Sequence, residues 1–312
     1  MNGQMPDFGE KPYRSLDVEL RRRYGEKIYK VSLNGRMTCP NRDGTLGTRG
    51  CIFCSAGGSG DFAGDPFLSV TEQIEAQKEP LLRKFPVKHF IAYFQAYTNT
   101  YGPVEYLERI FTEAIGHPDI VGLSIATRPD CLPPETLDLL QRLNSLKPVT
   151  VELGLQTIHE RTAALIRRGY PLECFRDSVR ALRERGLETV VHTILGLPYE
   201  TREDVYATME YLNGCDIQGI KLQLLHVLKG TDLADLYETT GFHILSEDEY
   251  VDLLIGCLER LSPAATIHRL TGDGPADLLV APQWSLRKRA VLNHIHHEMK
   301  ARQTWQGRLY QR

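Results

Sequence analysis

The 312-residue chain lacks any uninterrupted apolar run of about 18 residues, the length a membrane-spanning helix needs. Its first twenty residues, MNGQMPDFGEKPYRSLDVEL, carry no apolar core of the kind a signal peptide has, so the cytoplasm is the expected compartment. A large excess of one charge is missing too. Lys and Arg number 37 against 40 Asp and Glu, a net charge of −3, which excludes an overall polycation or polyanion. Tryptophan is nearly absent, with Trp284 and Trp305 alone. Cysteine is present seven times, an odd number that does not close into a full disulfide framework and that, in a reducing compartment, points to metal or thiol chemistry.

One further absence concerns a ligand. Cys39, Cys51 and Cys54 share the segment CPNRDGTLGTRGCIFC, and no fourth cysteine stands beside them. Three soft thiolates suit a metal or an iron–sulfur cluster. A structural zinc site closes its shell with four protein ligands, whereas three cysteines on a 4Fe-4S cluster leave one iron open to a small molecule. Two alternatives remain at this point: zinc completed by a distant His or by Cys131, and ordinary buried thiols. Pro40, Gly44, Gly47, Gly50, Gly57, Gly58, Gly60 and Gly64 interrupt both regular periodicities, so the segment is expected to be a loop whose glycines let backbone N–H groups approach cluster sulfides.

From residue 87 onward, apolar strand-like runs alternate with amphipathic segments. Strands are expected at 89–95, 120–126, 149–155, 189–195 and 219–225, with 27–33 as a first strand before the loop. Val104, Leu107, Ile110, Phe111 and Ala114 follow the helical period, as do Leu172, Phe175, Val179 and Leu182. Six β/α repeats with continuously apolar strands indicate a parallel sheet covered by helices, and a partial (β/α)6 barrel accounts for the count. In such folds chemistry collects beyond the C-terminal strand ends, where this chain has Gln95, Thr127-Arg128-Pro129-Asp130, Gln156 and Gly196-Leu197-Pro198.

Charge is unevenly placed. Residues 1–38 hold eight Lys and Arg against five acids, and residues 285–312 hold seven against one, so both ends are basic and the body is acidic. Arg21, Arg22, Arg23, Lys27 and Lys30 precede the cysteine loop. Arg287, Lys288, Arg289, Lys300, Arg302, Arg308 and Arg312 lie with Trp284, Trp305 and Tyr310 in the tail. Basic side chains interleaved with aromatics can hold phosphates and stack bases, and solvated helix faces have the same composition.

The cysteine loop after a first strand, with Phe53 just before its last cysteine, followed by β/α repeats, resembles the radical S-adenosylmethionine (SAM) superfamily. ATRPD (126–130), ELGLQT (152–157) and RRGY (167–170) resemble the branch that includes the elongator catalytic subunit. CPNRDGT, SGDFAG, YFQAYTNT, TRPDCLP, ELGLQT, LHVLKGT and HRLTGDGP are similar to the YtqA/YhcC-type family over nearly the whole chain. Two departures stand out. The first two cysteines are farther apart than in the superfamily's usual CxxxCxxC, and FQAYT (94–98) replaces the familiar GGE segment.

The resemblance implies an α/β radical SAM core over 27–245 with its Fe-S loop at 35–66, a basic N-terminal extension at 1–26 and a helical, basic C-terminal extension at 246–312. It implies a 4Fe-4S cluster on Cys39, Cys51 and Cys54, S-adenosylmethionine on the open iron, and a 5′-deoxyadenosyl radical that takes a substrate hydrogen. Gln95, Arg128, Glu152, Gln156 and Arg168 are the candidate cofactor contacts: Gln95 at the methionine amino group, either arginine on its carboxylate, and Glu152 and Gln156 near the ribose. Cys131 is a candidate catalytic thiol, with buried packing as the competing role. The implied substrate is the carbon-5 side chain of a tRNA wobble uridine, taken from carboxymethylaminomethyl toward aminomethyl, with tRNA held by the basic termini and electrons from a donor such as flavodoxin or ferredoxin. A radical enzyme on a small metabolite or protein, and a non-catalytic RNA-binding Fe-S or zinc module, are the alternatives.

Overall fold

A computed structural model describes residues 5–311. Its main sheet has seven parallel strands, β1 (Tyr29–Leu33), β2 (Phe90–Phe94), β3 (Ile120–Thr127), β4 (Val149–Gln156), β5 (Glu188–Leu195), β6 (Gly219–Leu224) and β8 (Thr266–Arg269), each beside its neighbour in chain order. The two remaining strands, β7 (Val227–Leu228) and β9 (Leu279–Ala281), form a small antiparallel pair.

Sequential parallel order arises when each strand returns through a helix on the same outer face. The helix Val104–Gly116 buries Leu107, Ile110, Phe111 and Ala114, and Leu172–Glu184 buries Phe175, Val179 and Leu182, so the expected helical stripes face the sheet. Between them and the strands lies one core, in which Leu33, Phe90, Phe94, Phe111 and Ile125 are fully enclosed.

The sheet is strongly curled, and its side chains measure the curl. In a flat sheet, β2 and β6 would lie four spacings apart, roughly 19 Å. Yet Lys221 Nζ on β6 donates to Tyr93 Oη on β2 at 3.0 Å, and Lys30 on β1 reaches Glu152 on β4 at 2.6 Å. The result is a half-barrel with a lumen, as expected.

The C-terminal extension differs from its expected form. It is helical at Glu247–Arg260 and Lys288–Ala301, but it also contributes β8, the seventh strand, which pairs with β6. Both chain ends are tied beside that strand. Ile267 donates to Arg14 O at 2.7 Å, and the buried Gln306 side chain accepts from Arg14 N and donates to the carbonyls of Ser262 and Ala265. The N-terminal helix Leu16–Tyr24 therefore lies at the bottom of the barrel, where Arg23 pairs with Glu188, the first residue of β5, at 2.7 Å. No helix among the described residues is long and apolar enough to cross a membrane.

Candidate active site

The C-terminal strand ends open into a cavity of about 670 Å3, within the range that takes a small molecule or cofactor. One wall is the segment between β1 and the helix Val70–Leu82, which has neither helix nor strand and brings Cys39, Cys51 and Cys54 to the cavity. The loop is fastened from both sides. Arg42 donates to the carbonyls of Cys54 and Ser55 at 3.0 and 2.6 Å, and buried Asn41 donates to Arg167 O at 2.7 Å while its amide stands 3.4 Å from Cys51 Sγ. Across this contact lies Gly169, at φ +85°. A Cβ there would fall 2.7 Å from Asn41 Oδ1, so the RRGY turn needs glycine on both counts.

The three sulfurs do not all lie within 4.8 Å of one another. Among the described residues only Glu75, His117 and Asp119 bring three ligand atoms that close, and Lys78 already pairs with both carboxylates there. Tetrahedral zinc with bonds of about 2.3 Å would hold its sulfurs roughly 3.8 Å apart. As they stand, the three sulfurs are more widely spread than a single tetrahedral zinc ion would hold them. Burial and the neighbouring Cys54 push the Cys51 thiol up to about 11, so the thiolates this loop must supply call for positive charge between them.

All five candidate cofactor residues line this cavity, in different states. The side chains of Gln95 and Gln156 have no hydrogen bond among the described residues, and Gln156 sits on a bulge of β4 at φ +65°. Tyr97 and Ser59, which line the same cavity, also take left-handed φ, a conformation that costs non-glycine residues of order 1–3 kcal/mol and collects at functional sites. Arg128 spends Nε and Nη2 on Asp130 at 2.9 and 2.7 Å, so its fork is occupied. Arg168 is 1% exposed and donates to Tyr170 O, Thr157 O and Glu160. It buttresses the RRGY turn and has no fork free for a methionine carboxylate.

Glu152 also departs from its expected place. It points inward from mid-strand, 0% exposed, and receives Lys30 at 2.6 Å, Ser124 at 2.5 Å, His192 at 2.6 Å and Lys221. It therefore binds lumen cations together rather than facing a ribose. Burial would raise its pKa, but Lys221 and Lys30 hold the carboxyl well below the usual range. Cys131 lies outside this cavity. It opens on a second depression lined by Thr100, Tyr101 and Leu132, its carbonyl accepts from Thr100, and burial pushes its thiol up to about 12, which suits packing.

Several lumen residues escaped the sequence analysis. Each main-sheet strand sends polar groups inward: Lys30, Tyr93, Ser124, Glu152, His192, Lys221, and His268 with Arg269. The available signal is a charged or histidine side chain at the middle of an apolar run, as Glu152, His192 and Lys221 are in β4, β5 and β6. Lys30 had been grouped with surface cations; it is in the barrel.

Residues 44–212 match the family model of the radical SAM superfamily, and residues 217–301 match that of the Radical SAM C-terminal domain. The chain belongs to the radical SAM superfamily. Membership implies S-adenosylmethionine and a 4Fe-4S cluster. The chain is 46% identical over 303 residues to uncharacterized protein YtqA of Bacillus subtilis, spanning 97% of this chain and 94% of that one. Protein YhcC of Escherichia coli is 38% identical over 268 residues, 85% of each chain. Elongator complex protein 3 of Dictyostelium discoideum is 29% identical over 165 residues, 52% of this chain and 29% of that one. The solved structure of the archaeal Methanocaldococcus infernus Elp3 with an N-terminal deletion matches with a TM-score of 0.68 at 17% identity, over 89% of this chain and 64% of that one, a likeness of fold.

Proposed function

We propose that this radical SAM enzyme acts on the carbon-5 side chain of a tRNA wobble uridine, converting carboxymethylaminomethyl toward aminomethyl. The observation that carries it is a single cavity of about 670 Å3 that the three cysteines share with Lys221 and Arg269. Cys39, Cys51 and Cys54 would hold three irons of a 4Fe-4S cluster, and the uncommitted amides of Gln95 and Gln156 would bind S-adenosylmethionine. When bound, that group would supply radical hydrogen abstraction, here at the glycine methylene beside the side-chain amine; loss of one more electron from that carbon back to the same redox group, followed by hydrolysis of the imine, would free the aminomethyl group and release the carboxymethyl unit as glyoxylate. The protein would hold both partners, and the electron would come from a small donor such as flavodoxin or ferredoxin.

The C-terminal basic segment supports tRNA as the partner. Ser285 bonds His226 and Lys288 pairs with Asp273, and His226 and Asp273 both line the cavity, so Lys288 stands at its rim with Arg287 and Arg289 beside it in the chain. Within the tail, Arg287, Lys288, Arg302 and Arg308 are paired with acids, and Arg289 and Lys300 are exposed without an ion pair among the described residues. Trp284 donates to Leu245 O and packs near Tyr250, so it serves the fold; Arg312 lies outside the described residues. Nucleoside mass spectrometry of tRNA from a deletion strain and its parent tests the proposal: carboxymethylaminomethyl nucleosides should accumulate at the expense of aminomethyl ones. Identical profiles would remove the tRNA substrate and favour a small-molecule one.

A further inference from the structure

Four arginines line the cavity, and three are committed. Arg42 holds two loop carbonyls, Arg128 holds Asp130, and Arg168 holds two carbonyls and Glu160. The fourth, Arg269 on β8, makes no side-chain hydrogen bond among the described residues. Its nearest carboxylate is Asp273 at 3.9 Å, which Lys288 already holds through both oxygens at 2.6 Å. Beside it, Lys221 on β6 is the register partner of Arg269 and lines the same cavity. Lys221 Nζ has Glu152 and Tyr93 as partners and one donor to spare.

Two cations on neighbouring strands repel, and Glu152 must serve Lys30 as well. The surplus shows: burial, with the charges of Lys30 and Arg269, pushes Lys221 down to about 7 despite Glu152. A guanidinium fork without a partner, next to an ammonium with a free donor, is complementary to one carboxylate, which accepts the fork through two oxygens. Opposite stand His226 and the turn Gly272–Pro275. Burial lowers His226 to about 4, so it is neutral, and a Cβ on Gly272 would fall 2.6 Å from its ring. The HRLTGDGP and LHVLKGT segments thus build this wall.

We propose that Arg269 and Lys221 form the seat of a carboxylate carried by the substrate, the terminal carboxylate of its N-substituted glycine unit; this rests on the wobble-uridine function above. The seat fixes the glycine unit against β6 and β8 and rejects side chains that end in an amide or methyl group.

The test is calorimetry on cluster-loaded, unreduced protein with S-adenosylmethionine bound, so that no turnover intervenes. 5-Carboxymethylaminomethyluridine should bind roughly 10- to 100-fold more tightly than its primary amide, the span expected for charge-assisted hydrogen bonds. Arg269→Gln should bring that ratio toward unity, and Arg269→Lys should restore part of it. Lys221→Gln should also reduce the ratio, but it strips a partner from buried Glu152, so the partly exposed Arg269 carries the test. Equal binding of acid and amide by the wild type, or an unchanged ratio in Arg269→Gln, would overturn the seat. Uridine 5′-monophosphate bound as tightly as the acid, and equally weakened by Arg269→Gln, would make it a phosphate site and overturn the proposal as well. N-benzylglycine against its amide separates the two levels. A preference for that acid while no uridine ligand binds keeps the seat and removes the uridine; turnover of tRNA without any acid preference removes the seat alone.

Discussion

Replacing Glu152 by Gln removes the one carboxylate that Lys30, Lys221 and His192 share in the lumen, with no water-exposed surface to soften the change. Taking one partner from a buried ion pair costs about 3–5 kcal/mol, because the other charge is left uncompensated. Lys221 limits the loss, since it already titrates at about 7 and sheds its proton once Glu152 is neutral. The cost should therefore be larger at pH 6 than at pH 8. At about 2 °C per kcal/mol for a chain of this size, the melting temperature should fall by roughly 6–10 °C at pH 6. The double variant Glu152→Gln/Lys221→Gln removes both charges and should recover about 1–3 kcal/mol relative to the summed single effects. Differential scanning fluorimetry at pH 6 and pH 8 reads both. A single variant that melts within 1 °C of wild type while losing S-adenosylmethionine affinity would return Glu152 to the ribose and refute the lumen network.

Three further outcomes are expected. Gly169→Ala should lower iron content after anaerobic reconstitution, because its Cβ meets Asn41 at the cluster loop, whereas Cys131→Ala should keep full iron and full cofactor cleavage; iron assay and 5′-deoxyadenosine quantification read these. Gln95→Ala and Gln156→Ala should each weaken S-adenosylmethionine by about 2- to 10-fold, the span of one neutral hydrogen bond, with the cluster intact by absorption spectroscopy. Neutralising Arg287, Lys288 and Arg289 together should lower tRNA affinity and flatten its salt slope by roughly two to three units, while Arg21, Arg22 and Arg23, at the opposite end of the barrel, should be silent in the same filter-binding series.

The sheet was legible because each of its first six strands is a contiguous apolar run bounded by helix periodicity and turn residues. Expected and observed ends agree within two residues at every one of them. β8 was missed for a physical reason. TIHR is four residues long and only Ile267 in it is apolar, too little to stand out from a loop. The cysteine loop was legible from its glycines and thiols. Lys30, Lys221 and Glu152 were not, since their roles depend on curl: distant strands meet only when the sheet closes, and linear spacing carries no measure of that closure. Arg128 and Arg168 are candidates in the sequence because a guanidinium fork matches a carboxylate, and sequence alone does not show whether a fork is already taken. Asp130 and Glu160, both local in sequence, hold them instead.

The most direct test of the central claim uses reconstituted protein, S-adenosylmethionine, a reductant and tRNA that bears carboxymethylaminomethyluridine, followed by nuclease digestion and mass spectrometry. The account predicts aminomethyluridine formed together with 5′-deoxyadenosine, and neither product from Cys51→Ala. Cofactor cleavage at an undiminished rate with the wobble nucleoside untouched would contradict it.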